Sequence, residues 1–341
     1  MAILGSKLVT LLDVSKSKDK QIGGVAEVMV QQNPMLNDLP YTEMNEGTSH
    51  IEEIRSSLPA VYYRKANQAI PASKSTTEER TFTAAHFESK SQMDAKVAER
   101  GGKDRVAYNR WNQAQGHIQA QALEHASLTI YGSPSTDIKK VAGLADIYST
   151  LATTEEASKQ IVDAGGSTSD MTSIYLICWG ERSVFGVYPK GTVAGLKRTD
   201  RSAGDKLVQI AATDSAGAAG SFWGYEEQFE VDHGLVVKDY RQAVRIANID
   251  PVTLASGSGA ADLIDLLVSA MYKIDSLENG TPVLYMNRTV QAFLDKQAMT
   301  KLGSGGGLSE MNYQGKPILS FRGIPIRRAD AILSTEDQIT A

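Results

Sequence analysis

The chain has 341 residues, of which 42% are hydrophobic and 22% charged, and its formal net charge is −5 at pH 7. This length and composition are typical of a globular protein with a sizeable core. The acidic balance argues against nucleic-acid recognition as the main role, because neutralising phosphates needs clustered Lys and Arg. A single cysteine excludes an internal disulfide, and no stretch approaches the ~20 apolar residues that cross a bilayer.

Residues 1–57 predict an N-terminal arm. Short apolar pieces such as 25–30 alternate with polar, turn-rich stretches such as 31–34 and 37–40, so the segment cannot enclose a core of its own. Its first residues carry Lys7 within their apolar part and show no small-residue cleavage pattern, which does not fit a signal peptide. We therefore expect an arm that lies on another surface of a protein made in the cytoplasm.

Residues 58–100 predict an extended loop built as a long hairpin. Two strand-like runs, 58–70 and 81–90, flank a polar tip at 71–80. Because an isolated two-stranded hairpin is only marginally stable in water, we expect it to lie against a neighbouring chain. The candidate interface residues on this hairpin are charged: Arg64, Lys65, Lys74, Glu78, Glu79 and Arg80.

A long helix is predicted from Asp104, the expected N-cap, to Tyr131. Its apolar residues recur at spacings of three and four, at Trp111, Ala114, Ile118, Ala122, Ala126 and Ile130. The helix would be about 42 Å long at ~1.5 Å per residue. Gln, Asn, Glu and His residues occupy the opposite face, and Gly132 and Pro134 are expected to end the helix.

The remaining chain alternates irregularly between strands and helices, which predicts an α+β protein. Predicted helices cover 155–165, 262–273 and 288–302, the last capped by Asn287. Predicted strands cover 174–179, 183–188, 207–212, 222–231, 235–249, 282–286, 318–322 and 324–332. A flexible glycine-rich loop is expected at 303–307.

No motif in the sequence indicates enzymatic chemistry. The glycine-rich stretch 303–307 lacks the Gly-Lys-Ser/Thr of a phosphate loop. The stretch 256–260 could present helical N–H groups to an anion, although a plain loop is the simpler interpretation. Cys178 stands among apolar residues and is expected to be a buried side chain with no nucleophilic role.

Histidines and acidic pairs also fail to form a recognisable site. Only His117 and His125 share a predicted helix, and eight residues is too far apart for them to chelate one ion. We expect the five histidines to be surface or hydrogen-bonded side chains: His50, His86, His117, His125 and His233. The adjacent acidic pairs are expected to be solvated or to contact other subunits: Glu52–Glu53, Glu78–Glu79, Glu155–Glu156 and Glu226–Glu227. We therefore predict no catalytic, cofactor-binding or metal site.

Several ordered segments carry a resemblance to a known family. They are LPAVYYRKANQ from Leu58, TIYG from Thr129, Gly143-Leu144, YMNRTV from Tyr285 and GIPIRRADAIL from Gly323. The chain resembles the tailed-phage major capsid proteins of the Hong Kong 97 fold, above all those of the epsilon-15-like short-tailed phages. The resemblance implies an arm (1–57), an extended loop (58–100), a peripheral domain with the spine helix (101–144), an axial domain (145–270), and a peripheral return with closing strands (271–341).

The function implied by this resemblance is structural. The chain would assemble in the host cytoplasm as hexamers and pentamers into the icosahedral head of the virion. Implied partners are portal, scaffolding and decoration or cement proteins, with packaged DNA nearby only non-specifically and no membrane. The alternative is the shell of a cellular encapsulin-type nanocompartment. Some relatives join subunits through a lysine–asparagine bond, but for Lys65, Lys74 and Asn67 we expect no such reaction.

Overall fold

A computed structural model describes residues 33–99, 102–152, 155–202, 206–213, 219–257, 261–300, 308–313 and 316–340. Most of the predicted arm (1–32) and the predicted glycine-rich loop (303–307) lie outside the described residues. The rest mixes helices and strands in irregular order, which confirms the α+β class.

The helices are α1 (Met35–Asp38), α2 (Ala95–Ala98), α3 (Val106–Tyr131), α4 (Leu144–Ile147), α5 (Pro251–Ser256), α6 (Leu263–Lys273) and α7 (Arg288–Thr300). The strands are β1 (Tyr41–Glu43), β2 (Ser49–Ser57), β3 (Thr76–Thr83), β4 (Ala85–Asp94), β5 (Ile161–Asp163), β6 (Thr172–Trp179), β7 (Val184–Tyr188), β8 (Gly195–Asp200), β9 (Val208–Thr213), β10 (Ala219–Val237), β11 (Ala243–Ile249), β12 (Thr281–Met286), β13 (Leu308–Tyr313), β14 (Lys316–Phe321) and β15 (Ile324–Arg328). Short 3₁₀ turns lie at Lys103–Arg105, Ser158–Gln160, Tyr240–Gln242 and Leu277–Asn279.

One large sheet forms the centre of the protein, in the order β13-β14-β15-β12-β6-β7-β10-β4. Every residue of β6 is buried, because both faces of this strand are covered. Side chains alternate across a strand: Tyr175, Ile177 and Trp179 pack with residues of α3 and α4. Ile174 and Leu176 pack on the other face with residues of α6 and α7.

Cys178 lies in this strand and is fully buried, as predicted. Burial raises the pKa of its thiol to about 11, which keeps the sulfur protonated at neutral pH. A protonated thiol is a poor nucleophile.

The long helix is confirmed as α3, with 26 residues and a length of about 39 Å at ~1.5 Å per residue. Its small and aliphatic stripe packs on Leu36 and on Phe229 of β10. The prediction of Asp104 as the N-cap is wrong, because a 3₁₀ turn at Lys103–Arg105 precedes the helix. Arg105 occupies the N-cap position of α3, and its side chain makes no capping hydrogen bond. A histidine assigned to the polar face, His125, is also fully buried.

Two glycines fix how the chain leaves this helix. The Gly143 N–H donates to the Gly132 carbonyl at 2.7 Å, so the returning chain touches the helix end. A Cβ on Gly132 would lie 2.2 Å from the Val141 carbonyl oxygen, and one on Gly143 would lie 2.7 Å from the Gly132 nitrogen. Only glycine permits this close backbone approach.

Other sequence predictions need correction. In place of a helix at 155–165 the described residues form a 3₁₀ turn and β5, because Ile161 and Val162 pair in parallel with β11. The break between the strands predicted at 222–231 and 235–249 lies later in the chain than predicted, because β10 continues to Val237 and β11 begins at Ala243. Gly234, which resembles a turn residue, is needed inside the strand, since a Cβ there would lie 2.5 Å from the Thr83 carbonyl oxygen.

The remaining predicted elements match closely. The helices α6 and α7 begin at side-chain caps, with Asp262 accepting from the Asp265 N–H and Asn287 accepting from the Val290 N–H. The predicted strands at 174–179, 183–188, 207–212 and 282–286 correspond to β6, β7, β9 and β12, and the closing strand at 318–322 corresponds to β14. The last predicted strand, 324–332, corresponds to β15 but ends four residues earlier, at Arg328. The sequence analysis did not predict four strands, β1, β2, β8 and β13, or four short helices, α1, α2, α4 and α5.

Candidate subunit-interface site

The projecting hairpin exists, but its strands are not the ones predicted. Strand β2 pairs antiparallel with β3, and residues 58–75 form the loop that joins them. The run 58–70 was predicted as a strand from its apolar and aromatic content; Pro59 and Pro71 remove ladder donors at both ends, and the run has no partner strand. The second predicted strand, 81–90, is divided between β3 and β4, and β4 pairs with β10.

The loop, residues 58–75, contains a tight turn at its far end. The Gln68 N–H donates to the Lys65 carbonyl at 3.2 Å, and the Lys65 N–H donates to the Gln68 side-chain oxygen at 3.1 Å. Asn67 adopts the left-handed conformation with φ of 67°, which asparagine tolerates better than most residues. Nearer the strands, the Ser73 hydroxyl donates to the Ala60 carbonyl at 2.8 Å. These bonds give the loop a defined shape without a core.

The loop is basic and presents apolar side chains to solvent. It contains Arg64, Lys65 and Lys74 and no acidic residue. Its large apolar side chains are exposed by 43% or more: Leu58 77%, Val61 88%, Tyr62 43%, Tyr63 102% and Ile70 53%. Large apolar side chains are more often buried, and their exposure within one short segment is a feature shared by many interaction surfaces.

The predicted interface residues divide into two groups. Arg64, Lys65 and Lys74 lie on the exposed loop. The other three, Glu78, Glu79 and Arg80, were predicted at the hairpin tip but belong to β3, nearer the body of the protein.

Within β3 these charges differ in their contacts. Glu79 lies directly opposite Glu53 of β2, a like-charge pair that disfavours the hairpin in isolation. Arg80 is 3.7 Å from Glu78 and lies over the Tyr240 ring at 4.6 Å, so part of its role is inside the subunit. Of the six predicted residues, Arg80 is the one whose side chain contacts the body of the subunit, at Tyr240.

Sequence reasoning missed the apolar members of the site. Val61, Tyr62 and Tyr63 were assigned to a strand, where they would have had cross-strand neighbours. The signal was present in the sequence, because the run has no local core on which to pack.

Acidic residues expected at the surface include one that is buried. Glu227 of β10 is 3% exposed and lies between two arginines, 2.5 Å from Arg110 on α3 and 2.9 Å from Arg198 on β8. Its neighbour Glu226 accepts a hydrogen bond from Gln92 at 2.8 Å. The adjacent glutamates thus point to opposite faces of the strand, as expected, but Glu227 connects elements within the subunit.

Three histidines are also buried and hydrogen-bonded, and His50 is one of them, at 6% exposure and 3.2 Å from Glu52. His125 of α3 and His233 of β10 have 0% exposure, and Tyr41 lies between them. Across the part of the chain that the structure describes, no group of three or more His, Cys, Asp or Glu side chains could hold a metal ion. No helix among the described residues is long and apolar enough to cross a membrane.

Comparison with known structures identifies a relative of similar length. A chain in the cryo-EM structure of bacteriophage Epsilon15 is 31% identical, with 100% of both chains covered and a TM-score of 0.68. The bacteriophage JBD30 capsid is 10% identical over 96% of this chain and 99% of that one, with a TM-score of 0.44. The SrpI encapsulin of Synechococcus elongatus PCC 7942 is 10% identical over 62% and 85%, with a TM-score of 0.37. A comparison with curated proteins gave no significant match.

The sequence also matches a family model over almost its entire length. The model describes the major capsid protein GP7 and covers residues 17–340. This match and the full-length similarity to the Epsilon15 chain confirm the Hong Kong 97-type fold and do not favour the encapsulin alternative. With the exposed hairpin, the long helix α3 and the buried central sheet arranged as described, the chain belongs to the GP7 family of phage major capsid proteins.

Proposed function

We propose that the protein assembles in the host cytoplasm as hexamers and pentamers of itself, and that the hairpin β2–β3 with its loop forms a principal contact between subunits. Its family makes it a structural component of the phage virion. The observation that supports the proposal is the loop, residues 58–75, which exposes apolar and aromatic side chains that a soluble subunit alone leaves uncovered.

Charge indicates what the loop contacts. The loop is basic throughout, whereas the chain as a whole carries a net charge of −5. The rest of a second copy therefore carries a net negative charge, opposite in sign to that of the loop. Complementary charge contributes register and specificity more than affinity. The exposed apolar groups around Tyr63 supply the buried area, and shell contacts should each bury well over ~1,000 Å².

The proposed division of the subunit follows the same family. The arm comprises 1–57, the extended loop 58–100, the peripheral domain 101–144 with a return at 271–341, and the axial domain 145–270. The boundary at 270 is crossed by strand pairing, because β12 pairs with β6. Portal, scaffolding and cement proteins are the further proposed partners, and the chain itself would act without catalysis.

Electron microscopy of the purified full-length protein tests the assembly. We expect hollow icosahedral particles built from five- and six-membered rings. Sedimentation that gives only a compact monomer across concentration and salt would contradict the proposal.

Substitutions in the hairpin test the contact itself. Tyr63→Ser should lower particle yield without changing the circular dichroism of the subunit, because Tyr63 is fully exposed. Tyr272→Ser is the matched control, since Tyr272 is 80% exposed on helix α6. Glu79→Lys relieves the repulsion with Glu53 within the hairpin, so a loss of particles from this variant would come from contact with another subunit. Normal yields from both hairpin variants would exclude the contact.

A further inference from the structure

Tyr41 of β1 lies between two buried histidines on different elements. Its hydroxyl oxygen is 2.5 Å from Nε2 of His125 on α3 and 2.9 Å from Nδ1 of His233 on β10. The two imidazole centroids are 4.1 Å apart. Asn33 and Thr129 complete the group, here named the Tyr41 cluster, and all five residues are 7% exposed or less.

The hydrogen bonds assign every proton of the Tyr41 cluster. The Thr129 hydroxyl donates to the His125 carbonyl at 2.8 Å, so its oxygen accepts from His233 Nε2 at 3.1 Å. Nδ1 of His233 therefore carries the lone pair and accepts from the Tyr41 hydroxyl. The Tyr41 oxygen in turn accepts from His125 Nε2. His125 Nδ1 then accepts from the Asn33 side-chain amide at 3.1 Å.

This arrangement leaves no acceptor for an added proton. Each imidazole uses one nitrogen as donor and one as acceptor, so both rings are neutral. A proton on His125 Nδ1 would face the Asn33 amide, which is also a donor. Turning that amide over would break the bond in which Asn33 Oδ1 accepts from the Met35 N–H at 3.1 Å. A proton on His233 Nδ1 would likewise face the Tyr41 hydroxyl.

No nearby carboxylate compensates for a second proton. Among the described residues, neither ring forms an ion pair or hydrogen bond with a carboxylate. The acids on the packed elements are engaged elsewhere, as Asp232 is with His86 at 2.7 Å, Asp38 with Arg327 at 3.1 Å and Glu43 with the Gly191 N–H at 2.8 Å. Two acids of β10 are also paired: Glu230 with Lys197, and Glu227 with Arg110 of α3. Strand β7 lies beside β1, and its titratable side chain is Tyr188.

Burial lowers the pKa of both histidines of the Tyr41 cluster. It lowers the pKa of His125 to about 3. Burial and the adjacent His125 together lower the pKa of His233 well below its ordinary value. A released histidine regains a pKa near ~6.5.

We propose that the Tyr41 cluster is a proton-sensitive attachment, which helps to hold residues 33–44 on α3 and β10 while both histidines are neutral and favours their release when a histidine is protonated. Strand β1 of this segment also pairs with β7, and the segment's Met35, Leu36 and Leu39 are buried. Its two ends in sequence lead to the predicted arm and to the hairpin proposed as a subunit contact. Acid would thus weaken the attachment of residues 33–44, whereas the pairing of β12 with β6 does not depend on the Tyr41 cluster.

The sign of the pH dependence follows from the histidines. Because protonation is favoured only in the released state, attachment is complete above about pH 6.5 and weakens as the pH falls. Each histidine that gains its proton on release shifts the equilibrium by up to about 10-fold per pH unit, or about 50-fold from pH 6.5 to 4.5, because a released histidine is already half protonated at pH 6.5.

Hydrogen exchange with mass spectrometry on the full-length protein tests this inference. Labelling times are scaled to the intrinsic rate at each pH, peptides spanning 33–44 are the reporter, and peptides from β12 are the reference. We expect protection of 33–44 to fall at least about 50-fold between pH 6.5 and 4.5 while β12 stays protected. Unchanged protection of 33–44 in the wild-type protein overturns the proposal whatever the variants show.

Single substitutions identify the group that titrates. His233→Gln and His125→Gln should each remove about 10-fold per pH unit from the response, because glutamine does not titrate. His117→Gln is the matched control: His117 lies on the same helix but stacks on Phe229 at 5.7 Å, outside the Tyr41 cluster. A wild-type response that persists in both His125→Gln and His233→Gln would assign the titration to other groups and overturn the proposal.

Discussion

Removing the Glu336 carboxylate should destabilise the protein strongly, because Glu336 neutralises a buried arginine. Arg245 and Glu336 have side chains that are 5% and 6% exposed, with an N–O distance of 2.7 Å. Arg245 also donates to the Tyr148 carbonyl at 2.8 Å and to the Ser173 hydroxyl at 3.0 Å. The Tyr131 hydroxyl donates to the second carboxylate oxygen at 2.5 Å.

The magnitude follows from what remains after truncation. Glu336→Ala leaves the Arg245 charge buried without its counter-ion, which costs about 3–5 kcal/mol of unfolding free energy. That is a large part of the about 5–15 kcal/mol by which folded domains are stable. Replacing both partners with apolar residues, as in Arg245→Met with Glu336→Leu, removes the buried charge and should recover most of the loss.

Urea unfolding of the dilute subunit, followed by circular dichroism, measures the effect. The matched control is Asp330→Ala in the same C-terminal segment. Asp330 pairs with Arg288 at 2.9 Å and Arg328 at 2.8 Å, but its side chain is 44% exposed. Solvent screens such pairs, so its loss should cost no more than about 1 kcal/mol. If Glu336→Ala costs no more than Asp330→Ala, or if the double variant is less stable than either single one, the reasoning is refuted.

Two further predictions concern helix α3 and cohesion of the shell. Gly116→Ala should stabilise the subunit by about 0.5–1 kcal/mol, because a Cβ there meets nothing within 4 Å. Gly132→Ala should destabilise it by about 1–3 kcal/mol, because its Cβ would clash with backbone oxygens. Thermal unfolding compares the two variants, and equal effects would contradict the packing argument. Boiled particles should run on a denaturing gel as one band near the 36.8 kDa chain mass, whereas a ladder unaffected by reductant would reveal a crosslink, with Lys65, Lys74 and Asn67 the first residues to examine.

The parts of the fold that could be predicted are those in which local pattern and tertiary environment agree. Helix α3 was predicted almost to the residue at its C-terminal end because its stripe of small residues packs on β10. Strand β6 was predicted because a strand buried on both faces is continuously apolar. Helix α7 was predicted with its cap, Asn287.

The parts that failed depend on contacts distant in sequence. Gly234 lies in a strand because Thr83 approaches it, and β5 is a strand because β11 is available to pair with it. The hairpin was predicted with the wrong strands, since 58–70 has the composition of a strand without the partner. Nothing in the spacing of His125 and His233 indicates that Tyr41 joins them, because three separate elements must first fold around it.

The position of β6 in the central sheet has a consequence for synthesis of the protein. Its partner on one side, β12, follows about 100 residues later in the chain, with Tyr175 opposite Tyr285. At ~5–20 residues per second on a ribosome, that separation corresponds to about 5–20 s of translation. During this interval an apolar strand that will be buried on both faces has at least one unpaired edge, because its other partner, β11, also follows it in the chain. The nascent chain therefore passes through an aggregation-prone stage before any subunit is available for assembly, and slower translation between β6 and β12 would lengthen that exposure.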